Sequence, residues 1–159
     1  MDKTLLLKQI VIRLGENLDV LERAARASHT EATHESSRAE SKYDTRGLEA
    51  AYLAGGQARQ AREIMDSIKL YQSFALRDFA PGDPIDVSAV VKLKTQDATT
   101  LYFIGPKNGG LEVDYNGDEV TVLTPHSPLG QKLIGKKSGE NWTEKSGGSV
   151  VKYQIVKVW

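Results

Sequence analysis

Few side chains in this 159-residue chain have the type and spacing for chemistry. Asp44 and Glu49 form one candidate pair. Two carboxylates presented on a narrow support can complete the oxygen shell of a Mg²⁺ that keeps several waters, one of which becomes a nucleophile. Acidic groups beside a helix start also simply favour the positive end of its dipole. On a continuous helix a five-residue separation leaves the two side chains about 140° apart. They converge only if Asp44 lies in a non-helical turn, which Gly47 permits. His29 and His34 have Glu31 and Glu35 nearby, but helical metal pairs need a spacing of three or four to share a face, and a solvated helix surface is the expectation. His126, between Pro125 and Ser127, has no partner visible in the sequence and stays unassigned. Lys132, Lys136 and Lys137 form either a basic edge that steers a partner or an ordinary solvated helix face.

Composition narrows the classes. With 40% apolar and 26% charged residues the chain can build a modest core, and wholesale disorder is excluded. There are 21 basic and 21 acidic side chains, a pI near 6.8 and a mean hydropathy of -0.39. That balance lacks the electrostatic footprint of a protein that grips a phosphate backbone by itself, so autonomous nucleic-acid binding is disfavoured and no autonomous sequence-specific binding is expected. The absence of cysteine removes disulfides, thiolate zinc sites and a cysteine nucleophile. The start of the chain does not read as a signal peptide, and no run of 18 apolar residues is present, so a cytoplasmic protein with no membrane contact is expected.

The elements that would position these residues fall into two halves. All eight arginines lie at or before Arg77, and all five prolines at or after Pro81. In the first half, Leu7, Val11, Leu14, Leu18, Leu21 and Ala25 repeat at alternating spacings of four and three, one stripe of a helix. A second stripe runs through Ala50, Ala54, Gln57, Ala61, Ile64, Ile68, Tyr71 and Ala75. These predict an antiparallel two-helix coiled coil over residues 1–78, about 45 to 50 Å long, with its tip near 41–47. A Pro/Gly hinge at 79–84 would join it to a second domain, residues 81–159. There, alternating residues from Val87 to Leu93, a strand at 101–104 and the Asn116-Gly117 hairpin signal predict a small antiparallel sheet. Ser127-Pro128 followed by Gly135 predicts one short capped helix, and a final hairpin turns at 146–149. The fold class is α+β.

The residues also carry a family resemblance. Leu14-Gly15-Glu16-Asn17-Leu18-Asp19-Val20-Leu21 is similar to the pattern L-x-E-x-L-x-x-L of the first helix of the bacterial Gre-type transcript cleavage factors (GreA and GreB). Ser127-Pro128-Leu129-Gly130-Gln131-Lys132-Leu133-Ile134-Gly135-Lys136 resembles that family's C-terminal signature, S-P-[IL]-x-x-x-[LI]-[IL]-G-[KR]. The closing segment from Gly147 to Val158 resembles its last hairpin. The resemblance implies that residues 81–159 form an FKBP-like domain gripping RNA polymerase at the rim of its secondary channel while the coiled coil enters. Ser127, Pro128, Leu129, Lys132, Lys136 and Lys137 would then be partner-binding residues. A pair of tip carboxylates would help hold a Mg²⁺ and water in the polymerase active centre, so that the polymerase cuts its own backtracked RNA. The factor itself would be no enzyme and would hold no metal of its own.

The tip departs from that pattern. Counting back from Tyr52, the family's Asp and Glu positions hold Thr45 and Leu48, and the nearest carboxylates are Asp44 and Glu49. Two outcomes stay open: stimulated cleavage, or regulation by channel occupancy alone. Competing classes are an FKBP-like peptidyl-prolyl isomerase using Tyr102, Phe103, Tyr115, Trp142 and Tyr153, and a plain coiled-coil adaptor. Pairing of the stripes within one chain makes a monomer the expectation.

Overall fold

The computed structural model describes residues 1–33, 46–146 and 149–159. Two helices come first, α1 (Lys3–Thr33) and α2 (Arg46–Gln72). Six strands and a third helix follow: β1 (Val90–Lys94), β2 (Thr99–Ile104), β3 (Glu112–Tyr115), β4 (Asp118–Leu123), α3 (Pro128–Leu133), β5 (Asn141–Ser146) and β6 (Ser149–Val158). The expected order of two helices and then a sheet with one short helix holds. The chain divides into two compact units, one made of Met1–Ile10 with Phe74–Trp159, the other of Val11–Ser73.

In the helical unit the apolar stripes are the shielded faces. Leu14 is 1% and Ala61 7% exposed, and Leu18, Leu21, Ala54, Gln57, Ile64 and Ile68 are half-buried. Ile12, Val20, Leu53 and Met65, off the stripes, stand in solvent. α1 has 31 residues, a length of about 46 Å at 1.5 Å per residue. The second stripe is shorter than its spacing predicts. α2 ends at Gln72, where Ser73 turns its hydroxyl onto the carbonyls of Lys69 and Leu70, and Ala75 is exposed beyond it. The expected tip straddles the start of α2: Arg46 and Gly47 are helical, while 41–45 lie outside the described residues.

The sheet runs in the order β3-β4-β2-β1-β6-β5. Four pairings are antiparallel, but β2 and β4 run parallel, with Leu101 opposite Val120. The hairpin of β3 and β4 returns so that β4, not β3, lies beside β2, and β3 is left at the edge. Its turn is as predicted: Asn116 and Gly117 have φ of 55° and 87°, the twist a two-residue hairpin needs. The first strand begins later than its alternation suggests. Ser88 takes φ 80°, closing a turn in which the Ala89 N–H donates to the Asp86 carbonyl, and pairing starts only at Val90.

One sheet face is the core: Val91, Leu93, Ile104 and Ile155 pack with Ile85, Ala89 and with Leu133 of α3. Phe103 points to the other face, where Phe74 meets it edge-on at 6.3 Å. The start of α1 belongs to this same unit. Asp2 caps the helix, its carboxylate accepting from the N–H groups of Thr4 and Leu5, while its own N–H donates to the Tyr115 hydroxyl at 2.9 Å. Lys3, only 7% exposed, donates to the carbonyls of Arg77 and Ser88 and lies 4.8 Å from the centre of the Phe79 ring. Burial pushes its ammonium pKa down, against the pull of Asp78.

The segment expected as a hinge, residues 79–84, therefore lies inside the sheet-bearing unit rather than between units. It is a tight turn, with Gly82 at φ 93°, closed by Asp83 N–H to the Ala80 carbonyl at 3.0 Å and by Arg77 against Asp83 at 3.6 Å. Proline and glycine mark a turn in sequence. Whether that turn joins two bodies or is packed into one depends on contacts far along the chain.

Candidate functional site

The segment from Ser127 to Lys137 is built residue by residue for one conformation. Ser127 is extended (φ -66°, ψ 154°) and caps α3: its hydroxyl accepts from the Gly130 N–H at 3.1 Å and donates to the Thr124 carbonyl at 2.8 Å. Pro128 occupies the first turn, where its missing N–H costs nothing. Gly130 is buried where a Cβ would lie 2.0 Å from the Thr124 carbonyl oxygen, so no side chain fits. Leu133 is fully buried, with Leu129 and Ile134 half-buried against the same core. Gly135, at φ 82°, ends the segment, and its N–H donates to the Ile85 carbonyl at 2.8 Å.

Two of the three basic residues of this segment, Lys132 and Lys136, find carboxylate partners within the chain. Lys132 Nζ meets Glu144 Oε2 of β5 at 2.5 Å, and the Trp142 indole N–H donates to Glu144 Oε1 at 2.7 Å. These two bonds, that from Lys132 foremost, hold the Glu144 carboxyl below its usual range. Lys136 pairs with Glu140 at 3.7 Å and lies 5.5 Å from the Trp142 ring centre. Lys137 is exposed, and among the described residues its ammonium has no ion pair. Trp142 stacks on Tyr153 at 4.8 Å with the rings 10° apart. The result is an edge of alternating charge and aromatic surface between α3 and β5. Glu144 was not legible as its keystone, because Lys132 and Glu144 are twelve residues apart and in different elements.

Of the other carboxylate and histidine candidates, only His126 has a described side chain. Glu49 lies in α2 without a described side chain, and Asp44 lies outside the described residues, as does His34. His29 lies in α1, its side chain not described. His126 is exposed, and its carbonyl accepts from the Gln131 side chain at 3.0 Å. Among the described residues no three His, Asp or Glu side chains cluster as a metal site, and no helix is long and apolar enough to cross a membrane. The aromatics do not converge on one pocket: Tyr102 and Phe103 take opposite faces, Tyr115 holds Asp2, and Trp142 and Tyr153 stack on each other.

No protein-family model and no curated relative matches this sequence. Solved structures similar to it include the GreA factor homolog 1 (Gfh1) protein of Thermus thermophilus, at 19% identity over 94% of both chains with a TM-score of 0.37. Gfh1 of Thermus aquaticus is similar at 19% identity over 92% of this chain and 91% of its own, with a TM-score of 0.37. The prokaryotic transcription elongation factor GreA/GreB from Nitrosomonas europaea is similar at 21% identity over 60% of this chain and 78% of its own, with a TM-score of 0.36.

Proposed function

We propose that this chain is an RNA polymerase-binding regulator of transcription elongation that inserts its helical arm into the secondary channel and acts there by occupancy, with weak or absent stimulation of transcript cleavage. The observation that carries this reading is the segment from Ser127 to Lys137. It resembles in sequence the gripping element of the Gre-type factors, and its capping Ser127, first-turn Pro128, core Leu133 and positive-φ Gly135 each fit their place in the backbone, as does Gly130, where no side chain has room. Four of these five, Ser127, Pro128, Leu133 and Gly135, are positions that the signature specifies, and each has a structural role here.

Occupancy without cleavage follows from the tip. Thr45 and Leu48 stand where the family pattern has its carboxylates, and neither can ligate a hard cation as a carboxylate does. On this reading the chain is not itself an enzyme, and any Mg²⁺ belongs to the polymerase active centre. Its contacts would be the exposed Pro128 and Lys137 and the half-buried Leu129, with Lys132 and Lys136 available to exchange their internal carboxylates for those of the partner.

Capture of core RNA polymerase by the tagged chain tests this. Retention is expected, and Leu129→Asp or Lys132→Glu should reduce it more than removal of residues 41–47, since binding energy concentrates in few central residues. No capture of the polymerase by the native chain would overturn the assignment.

A further inference from the structure

The net charge of zero conceals a segregation across the sheet. At one edge β3 and β4 carry Glu112, Asp114, Asp118 and Glu119 and no base. At the other side β1 and β6 carry Lys92, Lys94, Lys152 and Lys157 and no acid, and β5 adds Lys145. Register places all five lysines on one face. Lys92 is opposite Lys157 and Lys94 opposite Gln154, while Thr143 is opposite Lys152 and Lys145 opposite Val150. Side chains alternate across a strand, and the other side of the same strands holds Val91, Leu93 and Ile155 of the core, with Trp142 and Tyr153 packed against it. The one carboxylate of these three strands, Glu144, is engaged there by Lys132.

This arrangement works against the fold in isolation. Like charges directly opposite each other destabilise a sheet, and Lys92 and Lys157 are such a pair. Lysine on an edge strand guards against stray pairing, which accounts for Lys145 on β5. It does not account for β1 and β6, which are paired on both sides. Among the described residues none of Lys92, Lys94, Lys145 and Lys152 forms an ion pair. A depression of 560 Å³ opens beside these lysines, lined by Lys94, Gln96, Asn141, Thr143, Lys152 and Gln154 together with Trp142 and Tyr153, and by no carboxylate.

We propose that this lysine face binds the phosphate backbone of a single-stranded nucleic acid without reading its sequence. Protein interfaces are depleted in lysine and enriched in arginine, whereas β1, β5 and β6 carry five lysines and no arginine. Lysine binds phosphate as a point charge, and neighbouring Asn, Thr and Gln side chains are the usual hydrogen-bonding partners of phosphate oxygens. Along one strand, same-face lysines recur at about 6.7 Å, and the three strands span about 10 Å, the width of one phosphate chain rather than of a duplex. Five lysines without a balancing carboxylate dominate the face, so binding is chiefly electrostatic and steeply salt-dependent.

The test uses the full chain, no polymerase, and a labelled single-stranded RNA of mixed sequence and about 12 nucleotides, followed by fluorescence anisotropy between about 50 and 200 mM salt. A logarithmic salt slope approaching about -3.5 is expected for five lysines, falling to about -2 in Lys94→Gln/Lys152→Gln and unchanged in Lys8→Gln on α1. Circular dichroism confirms that these surface variants remain folded. Absence of binding at the lowest salt, or a slope that the double variant leaves intact, overturns the proposal. So does tighter binding of the corresponding duplex, or displacement of the RNA by polyglutamate at equal charge, which would mark the face as a dock for acidic protein.

Discussion

Lys132 of α3 and Glu144 of β5 meet at 2.5 Å, and the same carboxylate accepts the indole N–H of Trp142. The pair fastens the signature helix to the last hairpin. Because the folded-state pKa of Glu144 is lowered, its contribution is present above the carboxyl's unfolded pKa and is lost as pH falls through the folded one. Lys132→Met should move the Glu144 titration back toward the ordinary carboxylate range, as read by NMR of the side-chain carboxyl. An unmoved titration would mean that Trp142 alone sets it.

Two glycines should respond oppositely to alanine. At Gly130 the new Cβ would stand 2.0 Å from a backbone carbonyl oxygen, so Gly130→Ala is expected to cost about 3 kcal/mol or more. Gly15, inside α1, has open space around its Cα, and Gly15→Ala should stabilise by up to about 1 kcal/mol. Denaturant unfolding of both variants measures the contrast.

Lys3 gives a pH signature of the same sign in the alkaline range. Its folded pKa is lowered by burial, so between the folded value and the unfolded one the unfolded chain binds more protons, and the stability of the native state rises with pH through that window. Below it the full cost of burying the charge persists. The stability of the native chain relative to Lys3→Met should therefore increase as pH climbs toward the ordinary lysine range, while at neutral pH the variant loses two hydrogen bonds to carbonyls, about 1 to 3 kcal/mol. Equilibrium unfolding across alkaline pH reads both effects.

At the tip, transcript cleavage by stalled polymerase should be accelerated weakly or not at all by the native chain, and Asp44→Ala and Glu49→Ala should change nothing. Strong acceleration that either variant abolishes would assign the two carboxylates to the metal after all. The same reactions followed for polymerase retention separate a failure of chemistry from a failure of binding.

What the sequence determined by itself was local. The four-three stripes mark the shielded faces of α1 and α2, because helical periodicity is set by the nearest residues. Asn116-Gly117 makes its hairpin because both positions tolerate positive φ, and Ser127-Pro128 with Gly135 bounds α3 because cap, ring and left-handed glycine act over one turn. Tertiary structure decided the rest: that β4 runs parallel beside β2, that the turn at 80–83 is packed into the sheet-bearing unit, that Lys3 is buried, that Glu144 receives Lys132, and that five lysines share one face. Each of these joins residues distant in the chain. Alternation says that a strand has two sides, but only the order and register of its neighbours say which charges stand together, and those are settled by burial of the whole core rather than by any local preference.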